Sequence, residues 1–436
     1  MSQIPSLGAL PPELKLQILK TTPDPITLQS LVLTSSAFHQ AYTESRKNVL
    51  NAVLLNELTP HVIHDAIYAV KASSISKENA DQWKQDVTSF LIEYKNTSAA
   101  SHEISDLKTL IDIARLHRSV RRLALSFYEH CLDHHPITNQ PLQTNWDGVS
   151  RNEKRRLFRT CYRYQIYCVV LGDEKFNSRS ASVAEFGEWA GLFFGKVQLW
   201  ELCEFYCLRD FIFGLLENIF SRGNYTFLEL ESRAEDQAEE PQMDTSTDHG
   251  RLFSTSRYYG RDTARENLMT HGVEYLPPVS NTDRTGSQNG FIIENRQQSV
   301  EFPISFDIMS RELNVYFENG SNRMPYTIDR RSGSCPAYPP FDNDHRPDRP
   351  NYAWGLSWKA NDRSHSRAFG LRQAYLRSWG YVMWDKERLE ALDVLDLLEN
   401  QYVRHGPKKR EGGSFSGAHF LNETRLAPSH DGDSLL

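Results

Sequence analysis

The chain has 436 residues, 39% hydrophobic and 24% charged, with a formal net charge of −7. That length predicts two or three domains around a sizeable core, and the charge gives no overall pull toward nucleic acid or anionic lipid, so neither nucleic acid nor membrane is an expected partner. No apolar run is long enough for a membrane span, no basic head precedes an apolar block near the start, and six scattered cysteines suit reduced core thiols rather than a disulfide framework, which points to a cytoplasmic or nuclear protein.

The first patterned stretch is LPPELKLQIL, from Leu10 to Leu19. Pro11 and Pro12 fit a first turn, where a missing N–H costs little, and predict a helix from there to about Lys20. Its apolar residues point two ways: Leu14 and Ile18 share one face, while Leu16 and Leu19 lie on the other. Such a helix is either interior, or it meets its own domain with one stripe and a second protein with the other. Asp24-Pro25 then places an N-cap before a proline at the first helical position, with Leu28, Leu31 and Val32 at helical spacing behind it. The polar break Thr34-Ser35-Ser36 opens a third helix, whose face runs through Phe38, Ala41, Tyr42, Ser45 and Val49 into Leu54 and Leu58. A unit this small has too little interior to stand alone and is expected to lean on a neighbour.

The stretch LPPELKLQILKTTPDPITLQSLVLTSSAFHQAY resembles an F-box, with Leu10, Pro11, Glu13, Leu14, Ile18, Leu19, Asp24, Leu28, Leu31, Thr34 and Phe38 at matching positions. It departs from that pattern where a Trp would close the third helix and this chain has Asn48, Val49 and Leu50. A distant segment, RSWGYVMWDKERL from Arg377 to Leu389, resembles one recurring near the C-terminal end of uncharacterised F-box-like proteins of filamentous fungi. The resemblance implies docking on the Skp-type adaptor of a cullin-RING ubiquitin ligase, with the remainder of the chain selecting an unknown protein client. Leu10, Pro11, Leu14, Ile18, Leu19, Leu28 and Leu31 are the implied F-box positions, some packing its helices and some touching the adaptor. Glu13 is assigned to the helix start, where a carboxylate meets the positive end of the dipole. The competing reading is a helical scaffold whose degenerate F-box binds no adaptor.

Helical spacing continues through Val62–Val70, Trp83–Tyr94, Ile104–Cys131, Glu153–Leu171 and Phe193–Phe220. After Leu230 the text turns acidic and reads as a linker, and from about Arg251 to Asp362 only Gly290–Ile293 and Leu313–Phe317 hint at a minor β hairpin. Leu371, Tyr375 and Trp379 then share a helical face, Gly380 marks a break, and Asp385 is placed to cap a helix carrying Leu389, Leu392, Leu395 and Leu398. Trp354, Trp358, Trp379 and Trp384 are expected to form the buried half of a helix pair on the central core. The expected class is mainly α. A three-helix F-box-like unit (residues 1–50) packs on an irregular helical domain (51–230), followed by a polar linker (231–300), a loop-rich segment with the Trp-containing helix pair (301–404) and a disordered tail (405–436).

Catalytic patterns are sparse. The chain has no phosphate-binding glycine loop, nucleophile elbow or dinucleotide fingerprint, so a non-catalytic role without cofactor is expected. His130 and His134 stand four apart with Cys131, Asp133 and His135 nearby, as zinc could use, but histidines in a last turn before Pro136 are explained by the helix dipole, and no metal is expected. Arg115, Arg118 and Arg122, and separately Lys154, Arg155, Arg156, Arg159 and Arg163, read as solvated basic faces rather than phosphate sites.

Overall fold

The computed structural model describes residues 10–97, 104, 106–143, 145–171, 183–198, 200–216, 272–273, 350–360 and 374–399. The expected acidic linker, the hairpin segments at 290–293 and 313–317, and the tail lie outside these residues. Among the described residues the chain is mainly α with no strand, only an isolated bridge between His134 and Pro141. No described helix is long and apolar enough to cross a membrane.

Four helices open the fold: α1 (Pro12–Lys20), α2 (Pro25–Thr34), α3 (Ser36–Glu44) and α4 (Arg46–Glu57). The Asp24 carboxylate starts α2 by accepting from the backbone N–H of Ile26 and of Thr27, both at 2.9 Å, with Pro25 in the first turn. The single third helix expected from the sequence is instead two. Ser45, at φ −124° and ψ 23°, leaves the helical region and divides α3 from α4, so the second half turns to bury Val49, Leu50, Val53 and Leu54. Because α4 runs across residue 50 and packs on both α1 and α7, the opening unit merges with the central helices.

The centre consists of α5 (Pro60–Ser73), α6 (Ala80–Asn96), α7 (Leu107–Cys131) and α8 (Arg151–Leu171). Asn79 caps α6 and Asp106 caps α7 through their side-chain oxygens. Along α7, Leu110, Ile113, Leu116, Val120, Ala124, Phe127 and Cys131 recur at three- and four-residue spacing and are buried. Helix α8 is buried on almost every side, with α5 and α7 packed on it. Two further helices, α9 (Val183–Phe194) and α10 (200–216), complete the core; α9 begins ten residues before the apolar stretch read from the sequence.

The basic run of α8 corrects the sequence reading, because Arg155, Arg156 and Arg159 are buried rather than solvated. Arg159 meets Glu201 at 2.8 Å and Glu204 at 2.7 Å, while Arg163 meets Asp65 at 3.0 Å and Glu201 at 2.8 Å. Tyr94 donates its hydroxyl to Asp65 at 2.8 Å. Burial would push the Asp65 carboxyl up, but the Arg163 charge and the hydrogen bonds of His64 and Tyr94 hold it well below the usual carboxylate range. These arginines are structural clamps between α5, α8 and α10.

The C-terminal part contributes α11 (Tyr352–Ala360), α12 (Ala374–Ser378), a 3-10 turn (Tyr381–Met383), α13 (Lys386–Ala391) and α14 (Leu395–Glu399). Trp354, Trp379 and Trp384 are buried as expected, but only Trp354 is helical; the other two flank the 3-10 turn, and the side chain of Trp358 lies outside the described set. Tyr375 is exposed, so it does not share the buried face with Trp379. Asp385 precedes α13 without capping it, because its carboxylate is taken by Ser150 and Arg156. Asp393, at φ 51°, splits the leucine-rich helix into α13 and α14. Cysteines 131, 161, 168, 203 and 207 are all buried, and no disulfide joins them among the described residues.

Candidate partner-binding face

Helix α1 is held at its C-terminal end. Thr21 Oγ1 donates to Gln17 O and Ile18 O at 3.1 and 3.0 Å, and Ile18 O is a carbonyl the last turn leaves open. Asn56 Nδ2, on α4, donates to Lys20 O at 2.8 Å and Thr22 O at 2.9 Å, fixing the turn that leads into α2. Leu19 is fully buried beneath this clamp, and Leu16 is half-buried against the core.

The opposite side of α1 is open. Leu14 is 51% exposed, Pro11 and Glu13 are exposed, and Leu10 and Ile18 are half-buried. Glu13 lies in the first turn, where its charge suits the helix dipole. Of the eight residues marked for the partner, Pro11, Leu14 and Ile18 fall on this face and Leu10 directly precedes it, whereas Glu13, though exposed, is turned about 100° from Leu14. Leu19 and Leu28 do not. Both are buried in the chain's own core and serve packing rather than partner contact, while Leu31 is half-buried against that core. The uncovered strip is therefore narrower than the sequence pattern suggested, because Ile18 also touches the core.

No family model, curated protein or solved structure matches the chain.

Electrostatics tie the opening helices to the core. Arg121 of α7 lies 3.6 Å from Asp24 and 3.5 Å from Glu57. Burial would raise the Asp24 carboxyl, but hydrogen bonds from Thr27 and Ile26 and the Arg121 charge hold it below its ordinary value. Two exposed apolar residues of α2, Ile26 and Leu33, escaped the sequence reading, since their spacing resembles that of the buried Leu28 and Val32.

The histidine group near Pro136 is differently arranged from a metal site. His135 Nε2 lies 2.7 Å from Leu392 O, and its Nδ1 receives the backbone N–H of Ile137 and of Thr138 at 3.1 and 3.2 Å, so both ring nitrogens are engaged. His130 instead packs its ring on Phe211, and the Cys131 thiol points at Ser378 O. Among the described residues no group of His, Cys, Asp and Glu has the arrangement to hold a metal ion.

Proposed function

We propose that this chain is a non-catalytic, F-box-like recruiting subunit, cytoplasmic or nuclear, which docks through α1 on the Skp-type adaptor of a cullin-RING ubiquitin ligase and presents an unknown client through the rest of its helical body. The carrying observation is the asymmetry of α1: Leu19 is sealed inside, while Leu14 beside Pro11 faces outward on a helix whose C-terminal end is clamped by Asn56. Covering a large apolar side chain contributes about 1.5 to 3 kcal/mol, against an association cost of about 4 to 15 kcal/mol, so several such residues must act together. Leu10, Pro11, Leu14 and Ile18 supply that set.

Purified full-length chain mixed with a purified Skp-type adaptor tests the reading by size-exclusion chromatography. A stoichiometric complex is expected for wild type and not for Leu14→Asp, with the helical circular dichroism unchanged. Leu14 is a better probe than Ile18, because Ile18 also packs on the core and its charge variant would disturb the fold. Absence of any wild-type complex overturns the assignment and leaves the scaffold reading.

A further inference from the structure

A groove of about 330 Å³ lies between α2, α3, the start of α4 and the outer face of α7. Its apolar lining includes Leu28, Val32, Leu50, Ile111 and Ala114, and Ile26 and Leu33 stand exposed along α2, Leu33 at 74%. Four arginines line it, Arg46, Arg115, Arg118 and Arg121, and no carboxylate does among the described residues. Arg121 is committed to Asp24 and Glu57. Arg46 leans on Tyr42, Arg115 reaches Asp112 only at 3.5 Å from an exposed position, and Arg118 makes no ion pair among the described residues. In a chain of net charge −7 this is a local positive patch around an aliphatic trough.

We infer that this groove takes an acidic peptide segment carrying aliphatic anchor residues, on a partner protein. Charge complementarity selects the acidic character: Arg46 and Arg118 face solvent with no ion pair among the described residues, Arg115 holds Asp112 only at 3.5 Å from an exposed position, and carboxylates beside guanidinium groups form the strongest hydrogen-bonded ion pairs. The lining selects the anchors. Leucine, valine and isoleucine side chains around a concave space suit a partner's aliphatic side chain, whereas stacked nucleotide bases need broad aromatic platforms, and the rings here are Tyr42 and the imidazoles of His39 and His117, the last of them buried. A concave trough also fits a protruding side chain better than it fits a flat lipid surface. No α1 residue lines the groove, so adaptor and peptide have separate footholds. The inference deepens the recruiting-subunit reading and rests on it only in naming the peptide as the client's.

The test uses full-length chain and a fluorescein-labelled amphipathic peptide of about twelve residues, with leucines at helical spacing and glutamates elsewhere. Two controls replace all glutamates by lysine or all leucines by serine. Anisotropy is expected to show saturable binding of the acidic leucine peptide, tighter than either control by roughly tenfold or more, and weaker as salt rises. That binding should be lost in Arg115→Glu/Arg118→Glu and in Leu33→Asp, all exposed positions where folding is preserved, and kept in Leu14→Asp. No saturable binding up to about 1 mM overturns the inference, as do equal binding of the controls and indifference to the groove variants. Anionic vesicles or duplex RNA bound in the peptide's place, with the same arginine dependence, overturn it too. Adaptor complex formation by Arg115→Glu/Arg118→Glu keeps a failed groove distinct from a failed adaptor assignment.

Discussion

Arg388 grips Glu153 with two parallel hydrogen bonds, Nε to Oε1 and Nη2 to Oε2, each 2.7 Å long. Glu153 also accepts the backbone N–H of Asp385 and of Ser150 at 3.0 Å, so one buried carboxylate joins the start of α8 to the C-terminal segment. Glu153→Ala leaves two N–H groups without their acceptor and Arg388 with Gly148 O but no carboxylate. The expected loss is about 3 to 5 kcal/mol, read from the midpoint of urea unfolding; a loss below about 1 kcal/mol would mean the clasp is absent in solution.

Two arginines one helical turn apart should respond in opposite ways. Arg159 bridges Glu201 and Glu204, and because Glu201 keeps Arg163, Arg159→Met strands the buried Glu204 carboxylate and is expected to cost about 3 to 5 kcal/mol. Arg155 is buried, and its Nε has no hydrogen-bond partner among the described residues. Burial and the neighbouring charges of Arg159 and Arg156 push its pKa down to about 10. Arg155→Met should leave the melting temperature unchanged or raise it, and a large fall would show that Arg155 has a counter-ion in solution.

Asp65 makes the fold acid-sensitive. Its folded pKa lies below its unfolded value, so it contributes stability that is fully present above about pH 4 to 5 and is lost as pH falls toward the folded pKa. Asp65→Asn should lower stability at pH 7 and flatten the acid limb of a plot of unfolding free energy against pH. Equal slopes for variant and wild type between about pH 5 and pH 2 would show that Asp65 does not carry this dependence.

Gly380 has φ +67°, and a Cβ there would stand 2.8 Å from Phe127 Cζ. Gly380→Ala therefore meets both backbone strain and a rigid ring, and the expected cost is about 2 to 4 kcal/mol by thermal unfolding. A variant as stable as wild type would contradict the close approach of this turn to α7.

The two sides of α1 separate in stability as they do in exposure. Leu19→Ala is expected to cost about 2 to 5 kcal/mol and Leu14→Ala less than about 0.5 kcal/mol. Comparable losses at both positions in the isolated chain would mean that Leu14 is covered by the molecule itself.

Local signals were the legible ones. Asp24-Pro25 announced α2, and the three- and four-residue spacing of α7 and α8 announced those helices, because a cap and a helical face are properties of neighbouring residues. The two-sidedness of α1 was readable for the same reason, but which stripe its own chain covers depends on α4, through the Asn56 clamp. The arginines of α8 were misread as solvated because their carboxylates stand elsewhere, Glu204 being 45 residues beyond Arg159. The groove was invisible as a unit, since α2 and α7 meet only in three dimensions. Ser45 and Asp393 broke helices where no proline or glycine warned of it.

The clasp on Glu153 has a consequence for synthesis. Arg388 follows its partner by 235 residues, which a ribosome takes about ten to fifty seconds to polymerise. Throughout that interval the nascent helices carry a lone acid where the finished protein has a bidentate ion pair, and Trp384, whose ring lies 5.9 Å from the Arg388 guanidinium, has yet to be made. Newly made chain thus cannot form this contact until its C-terminal segment has emerged, and a message cut short before codon 388 yields chain whose Glu153 lacks its cation.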